Sequence, residues 1–229
     1  KDDLTRLSLR LLRTSVRLEY EEQQREEVQE RLAHMATHDS LTGLPNRSYL
    51  TDVLSHTIRA CERRGLRAAV LFLDIDNFKD INDSFGHPVG DELLKQIAAT
   101  LTSTLRGEDL VARFGGDEFV MILPFVQEQT QVVEVVRRLM AAIRLPLALK
   151  DRSLRPAASI GVAIYPENGQ EPGELLQNAD AAMYEAKRSG RCTYRFHDPE
   201  MNQTARVRLA VQDDVRRGLR TQQFELHWQ

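Results

Sequence analysis

Residues 111–123 read Val111-Ala112-Arg113-Phe114-Gly115-Gly116-Asp117-Glu118-Phe119-Val120-Met121-Ile122-Leu123, and the fold is organised around this stretch. Two short apolar runs flank a Gly-Gly-Asp-Glu centre. The pattern predicts a β-hairpin, because glycine allows the positive φ angles of tight turns. Taken alone, it also fits an ordinary hairpin with a solvated acidic tip, since Gly and Asp are common in turns.

A second acidic cluster favours a hairpin with a function. The segment Leu73-Asp74-Ile75-Asp76 closes an apolar run that starts at Ala68, and this run predicts a strand buried on both faces. Hard divalent cations need several carboxylate oxygens brought together from different parts of the chain. Two acidic strand ends could supply them, so the sequence predicts a cation site where the hairpin meets this strand.

Composition bounds the class of protein. The 229 residues are 41% hydrophobic and 28% charged, which fits one domain of ordinary size with extensions. The net charge of -3 provides no bulk positive field for nucleic acid. Cys61 and Cys192 stand far apart, which favours neither a zinc site nor a disulfide framework and indicates a reducing compartment. With no Met at its start, the chain is expected to be a cytoplasmic domain from a longer parent, which could be anchored to the inner membrane.

The N-terminal 37 residues contain no Gly or Pro and fit a heptad frame. This pattern predicts a signalling helix that pairs in a parallel coiled coil, although a single amphipathic helix packed on its own domain also fits. Apolar residues fill seven of the ten a and d positions, which are Leu4, Leu7, Leu11, Thr14, Leu18, Glu21, Arg25, Val28, Leu32 and Met35.

Downstream, predicted helices and strands alternate. The pattern predicts a helix over 47–64, capped by Asn46 and Gly65, then a turn-rich link over 78–86. Further helices are expected over 88–105, 127–145 and 171–189, and strands over 157–165 and 193–196. The fold class is therefore α/β (α+β): an antiparallel or mixed central sheet flanked by helices on one or both faces and preceded by the long coiled-coil helix.

Several motifs in a fixed order give this chain a resemblance to a known family. Together they resemble the GGDEF domain of diguanylate cyclases, whose palm-like sheet is shared with nucleotidyl cyclases and polymerases. The motifs are Asp39-x-Leu-Thr-Gly-Leu-x-Asn-Arg47, Asp74-x-Asp-x-Phe-Lys79, Asn82-Asp-x-Phe-Gly-His87, Gly90-Asp91, Gly115-Gly-Asp-Glu-Phe119, Ser159-Ile-Gly-Val162 and Ala179-Asp180-x-x-x-Tyr-x-Ala-Lys187-x-x-Gly-Arg191.

The resemblance suggests three segments. Residues 1–37 would be the coiled-coil signalling helix, and residues 38–198 the GGDEF domain. Residues 199–229, a polar helix and a strand-like end, resemble the opening of an EAL phosphodiesterase domain and contain none of that family's metal ligands.

The resemblance implies a diguanylate cyclase that condenses two GTP into cyclic di-GMP and two pyrophosphates. The metal, Mg²⁺ or alternatively Mn²⁺, would be bound by Asp74, Asp117, Glu118 and the backbone carbonyl of Ile75. Asp117 or Glu118 would also be the catalytic group that deprotonates the attacking 3′-hydroxyl.

The resemblance also implies the GTP-binding residues. Asn82 and Asp91 would read guanine, although an Asn alone is usually a turn residue or a cap. Lys187 and Arg191 would hold the triphosphate, although cations near a helix C-terminus also complement its dipole. The full set is Phe78, Lys79, Asn82, Asp91, Gly115, Gly116, Lys187 and Arg191.

Arg106 and Asp109 match a product-binding inhibitory motif, Arg-x-x-Asp, although a local salt bridge also fits this spacing.

The expected partners are GTP, cyclic di-GMP, a second copy bound through the coiled coil, and an EAL domain in the parent chain. Two other functions remain open: a GTP-binding regulatory module that controls the EAL domain, and a dimerisation adaptor with no nucleotide site.

Overall fold

The computed structural model describes residues 22–25, 29, 32, 34–149 and 152–201. Its helices are Arg47–Arg64 (α1), Phe78–Phe85 (α2), His87–Thr104 (α3), Gln129–Ile143 (α4) and Pro172–Arg188 (α5). Its strands are Arg67–Ile75 (β1), Leu110–Gly115 (β2), Glu118–Val126 (β3), Leu147–Leu149 (β4), Arg152–Leu154 (β5), Ala158–Tyr165 (β6) and Tyr194–Phe196 (β7).

Five strands form one sheet in the order β2-β3-β1-β6-β7, and β4 and β5 pair separately. Within the five-stranded sheet β6 and β7 are parallel, whereas every other neighbouring pair is antiparallel. Strand β1 is central, so its C-terminal end lies between the start of β3 and the start of β6. This arrangement brings the two acidic stretches of the sequence together.

The sheet separates two hydrophobic cores. Ala69, Leu71 and Leu73 of β1 face the core that contains α3 and α4, whereas the alternate residues Val70 and Phe72 face the core with α1 and α5. Helices therefore cover both faces of the sheet. The predicted mixed α/β fold with a helix-flanked central sheet is confirmed.

Local signals in the sequence explain both ends of α1. The Asn46 side chain accepts the N–H of Tyr49 at 3.1 Å, and Gly65 ends α1 with a φ of +63°.

The predicted link over 78–86 is wrong, because residues 78–85 form helix α2. Phe78 and Ile81 pack against the core, and this burial stabilises a helix too short to be stable alone.

Close packing of α5 on β6 requires a glycine. A Cβ built on Gly161 would overlap the carbonyl oxygen of Ala179 and the backbone nitrogen of Met183. Since these are backbone atoms of α5, they cannot move aside as the end of a side chain can. Gly161 therefore sets how closely α5, with Lys187 near its end, approaches the sheet.

Three segments lie largely or wholly outside the described residues: most of the heptad over 1–37, the predicted linker helix over 200–222 apart from residues 200–201, and the strand-like end at 224–228. Residues 34–37 are helical and lead into the domain, and both Leu32 and Met35 have exposed side chains. Within the described residues, no helix combines the length and the apolar composition needed to cross a bilayer.

Candidate active site

Acidic residues from two strands meet at one end of the sheet. Asp74, near the end of β1, pairs in register with Glu118, the first residue of β3. Asp117 immediately precedes Glu118, and its carbonyl accepts the N–H of Ile75 at 3.4 Å. The Asp74 residue is only 6% exposed. The pairing of β1 with β3 thus holds the carboxylates of different chain segments close together.

Lysine 187 reaches this end of the sheet from the last turn of α5. Its Nζ lies 2.7 Å from Oδ2 of Asp74, and the Lys187 side chain is itself more than two-thirds buried. The sequence predicted Lys187 as a phosphate ligand. In the structure it is the counter-ion of a predicted metal ligand, Asp74.

The crowded carboxyl groups have altered proton affinities. Burial raises the pKa of Asp74 to about 6, and repulsion from Asp117 and Asp76 acts in the same direction, against the attraction of Lys187. Burial also raises the pKa of Glu118, with repulsion from Asp180, Asp74 and Asp117 adding to it. The arrangement therefore concentrates negative charge that a cation would stabilise.

Carboxylate and carbonyl oxygens at this end of the sheet are the donors that Mg²⁺ prefers. The chemistry of the donor set fits a hard divalent cation. Burial, with a smaller contribution from repulsion by Asp117 and Asp76, raises the pKa of Asp74, and a bound cation would offset both effects. In the part of the chain that the structure describes, no three His, Cys, Asp or Glu side chains converge as a ready-made metal cluster. Asp74 is instead held by Lys187.

The neighbouring Asp76 has a structural role. Its Oδ1 accepts the hydroxyl of Ser159 at 2.8 Å, and its Oδ2 accepts the N–H of Cys192 at 2.9 Å. Both carboxylate oxygens are thus used within the protein. Because Cys192 follows Arg191, Asp76 also fixes the segment in which the predicted phosphate ligand Arg191 lies exposed.

The predicted base-reading residues come from two packed helices. Asn82 lies on α2 and Asp91 in the first turns of α3, with Asp91 exposed. Oδ1 of Asn82 is buried and has no hydrogen-bond partner among the described residues. On the same short helix, Phe78 is half-buried and Lys79 exposed.

The hairpin turn is held by an arginine that the sequence analysis did not single out. Nε and Nη2 of Arg113 donate to the carbonyl oxygen of Gly116 at 3.0 and 2.7 Å, and Nη1 donates to both carboxylate oxygens of Asp39 at 3.0 and 3.1 Å. Gly116 has a φ of +51°, which favours glycine. Asp39 is the first residue of the motif over 39–47, and its negative charge is the one sequence feature that could have suggested an arginine partner.

The proton affinity of Asp39 reflects these contacts. Burial alone would raise its pKa, but hydrogen bonds from Thr42 and Arg113 outweigh burial, so the pKa lies below its ordinary value. The loop that follows the N-terminal helix is thereby bonded to the hairpin turn, and the turn's two glycines, Gly115 and Gly116, remain exposed.

A second group of sequence-predicted residues lies elsewhere. Asp109 Oδ2 accepts the backbone N–H of Arg106 at 2.9 Å, and the Arg106 guanidinium makes no ion pair within the described residues. The local salt bridge offered as an alternative therefore does not form. Arg106, Asp109 and Arg138 of α4 line a groove of about 170 Å³ beside the end of β3.

The sequence of this chain is similar to a known protein family and to individual members of it. A family described as "Diguanylate cyclase, GGDEF domain" matches residues 36–193. The chain is 42% identical over 198 residues to MucR of Pseudomonas aeruginosa, described as a bifunctional diguanylate cyclase/cyclic di-GMP phosphodiesterase. It is 41% identical over 198 residues to the cyclic di-GMP phosphodiesterase NbdA of the same organism. Both matches cover 86% of this chain, but only 29% of MucR and 25% of NbdA.

A solved structure supports the same relationship. The isolated GGDEF domain of TpbB (YfiN) from Pseudomonas aeruginosa is 39% identical and superposes with a TM-score of 0.72. The match covers 74% of this chain and 99% of that domain. The central sheet and its helices therefore have a close counterpart among known structures.

Proposed function

The chain belongs to the GGDEF diguanylate cyclase domain family, and on that premise we propose that it condenses two GTP molecules into cyclic di-GMP and two pyrophosphates. The observation that carries this proposal is the pairing of Asp74 with Glu118 across β1 and β3, beside Asp117 and with Lys187 at 2.7 Å from Asp74. Acidic groups and a cation are the complement that phosphoryl transfer requires.

In this proposal the acidic strand ends have two tasks. Asp74, Asp117, Glu118 and the Ile75 carbonyl would hold Mg²⁺, or Mn²⁺ in its place, and the bound metal would polarise the reacting phosphoryl oxygens. Glu118 or Asp117 accepts the proton of the 3′-hydroxyl. The hydroxyl oxygen then bonds to the α-phosphorus of the other GTP. The α–β anhydride bond breaks, and pyrophosphate leaves with the electron pair. The raised pKa of Glu118 suits a general base.

The remaining predicted residues would bind substrate. The buried, unpaired amide oxygen of Asn82 and the nearby Asp91 support a purine-reading role for α2 and α3. Lys187, already drawn to negative charge at Asp74, would contact the triphosphate. The full proposed GTP site is Phe78, Lys79, Asn82, Asp91, Gly115, Gly116, Lys187 and Arg191.

Product control and assembly form a further part of the proposal. Arg106 and Asp109, at the groove beside β3, would bind cyclic di-GMP as a feedback inhibitor. Since the product joins two nucleotides symmetrically, two domains must face each other, and the heptad over 1–37 would pair them. The parent chain would also contain an EAL domain.

Turnover of GTP by the purified chain tests the proposal. With Mg²⁺ present, chromatography should show cyclic di-GMP and pyrophosphate in a 1:2 ratio, and Asp117→Asn should abolish both while the circular dichroism spectrum is unchanged. Glu62→Gln, at an exposed position near the other end of α1, is the control and should retain turnover. Full turnover by Asp117→Asn, or none by the unmodified chain, would contradict the proposal.

A second function is favoured by one observation. NbdA, 41% identical to this chain, is described as a cyclic di-GMP phosphodiesterase. A GGDEF domain that binds GTP only to regulate an attached EAL domain would fit that similarity. Calorimetric binding of GTP without any product in the turnover assay would select this regulatory function over the cyclase. A chain that binds no GTP would instead select the adaptor.

A further inference from the structure

Gly90 stands at a helix position where glycine is not required by the backbone. It is the fourth residue of α3, it is buried, and its φ lies outside the left-handed region that favours glycine. In a helix, glycine is less favourable than alanine because it loses more conformational freedom. The reason for glycine at this position must therefore be space for a neighbour.

The neighbours are two residues of the proposed GTP site. A Cβ built on Gly90 would overlap Oδ1 of Asn82, and it would lie 3.0 Å from Cγ of Asn82 and 3.2 Å from Cζ of Phe78. Both side chains belong to α2, which packs on α3 at this point. The Asn82 carboxamide thus occupies the space that a side chain at position 90 would need.

The carboxamide of Asn82 has little freedom to yield. Its Oδ1 is fully buried and unpaired among the described residues, and Phe78 lies against the same space. A methyl group at position 90 would force the amide to rotate outward. That rotation would change the direction in which the amide donates and accepts hydrogen bonds, next to Asp91.

We propose that Gly90 is a positioning residue for base recognition: by carrying no side chain, it keeps the Asn82 carboxamide in the orientation that meets a guanine base beside Asp91. This inference rests on the proposed function, because it takes Asn82 as a ligand of the GTP base. Gly90 acts through Asn82 and makes no contact with the nucleotide through a side chain of its own.

A double-mutant cycle on equilibrium GTP binding tests the proposal. Gly90→Ala should weaken GTP binding about tenfold and reduce the preference for GTP over ATP, since a misplaced amide loses its hydrogen bond to the base. Asn82→Ala removes Oδ1 and Cγ and so makes room for the methyl group. In the Asn82→Ala background, adding Gly90→Ala should therefore change the affinity less than about twofold.

Turnover supplies a readout that a purely structural role would not move. Gly90→Ala should raise the KM for GTP with little change in kcat, because the reacting groups at Asp74 and Glu118 are untouched. Gly173→Ala is the matched control: Gly173 also lies in a helix, but a Cβ there meets nothing within 4 Å. This control should bind GTP as the unmodified chain does.

The inference is wrong if Gly90→Ala keeps the affinity and selectivity of the unmodified chain, or if it weakens binding equally in both backgrounds. Should Gly90→Ala alone fail to fold, the double variant decides. Affinity equal to that of Asn82→Ala supports the inference, and a further loss overturns it. Failure of the unmodified chain to bind GTP would instead contradict the proposed function.

Discussion

At the scale of single residues, Asp74 is a proposed metal ligand whose burial as a charged group lowers the stability of the domain. Burial raises the pKa of Asp74 from an ordinary 3.8 to about 6, so the folded state binds this proton more tightly than the unfolded state does. Its contribution to stability is therefore most favourable below pH 3.8, declines as the pH rises towards 6, and stays unfavourable above that. A shift of this size corresponds to roughly 2–3 kcal/mol.

Asp74→Asn should accordingly stabilise the metal-free domain while it abolishes turnover. We expect a gain of about 1 kcal/mol at pH 7.5, after the lost Lys187 ion pair is allowed for, and a smaller gain at pH 4. Urea unfolding in the presence of a chelator at both pH values measures the difference, with Asp52→Asn as an exposed control. A loss of stability at pH 7.5 would contradict this account.

Asp39 should show the opposite pH dependence. Because hydrogen bonds from Thr42 and Arg113 lower its pKa, its stabilising contribution is full above the ordinary value of 3.8 and is lost as the pH falls through the lowered pKa. Asp39→Asn should cost about 1 kcal/mol at pH 7 and progressively less in strong acid. A cost that is the same at pH 7 and pH 2.5 would argue against an ionic contact with Arg113.

At the scale of elements, the packing of α5 on β6 controls the position of Lys187. Gly161→Ala places a methyl group against the backbone of α5, so we expect a loss of roughly 2–3 kcal/mol in the free energy of unfolding. Turnover should fall further than the stability change explains, because α5 must move outward. Gly173→Ala, also on α5 but in open space, should be neutral or slightly stabilising in the same urea titration.

The loop between α3 and β2 is the element on which feedback should depend. Arg106→Ala should leave the initial rate within about twofold, since the loop is distant in the fold from Asp74, and should relieve inhibition by accumulated product. Progress curves with added cyclic di-GMP measure this directly. Arg137→Ala, an exposed arginine on α4 that does not line the groove, provides the control. Product inhibition that persists in Arg106→Ala would remove this site from the proposal.

At the scale of the whole molecule, activity should depend on pairing. Polar substitution of Leu11, Leu18 and Leu32 should give a monomer by light scattering, with GTP binding intact, because the proposed nucleotide site lies within one domain. Specific activity should then rise steeply with protein concentration, because the proposed tether, which would hold the second domain at a millimolar effective concentration, would be lost. Concentration-independent turnover by a monomer would contradict the role given to the heptad.

Sequence patterns predicted the strands of the sheet and most helices, because strand burial and turn chemistry are local properties. The meeting of the two acidic stretches was predicted on a different ground, the several carboxylate oxygens that a divalent cation needs. Helix α2 was not predicted, since its apolar contacts through Phe78 and Ile81 come only from packing on the core. The Arg113 contacts were also not predicted. They join Asp39 to a turn 77 residues later, Gly116, and no short-range pattern encodes a bond over that separation.

Because Lys187 pairs with Asp74, the proposed metal site and the proposed nucleotide site would compete for one positive charge. A single ammonium group cannot neutralise a carboxylate and a phosphate at full strength. If a nucleotide draws Lys187 away, Asp74 is left needing another counter-ion, and by thermodynamic reciprocity a cation at Asp74 frees Lys187 for nucleotide by the same factor. In Lys187→Met that mutual assistance should disappear: nucleotide should bind more weakly, and the nucleotide-free domain should bind cations more tightly.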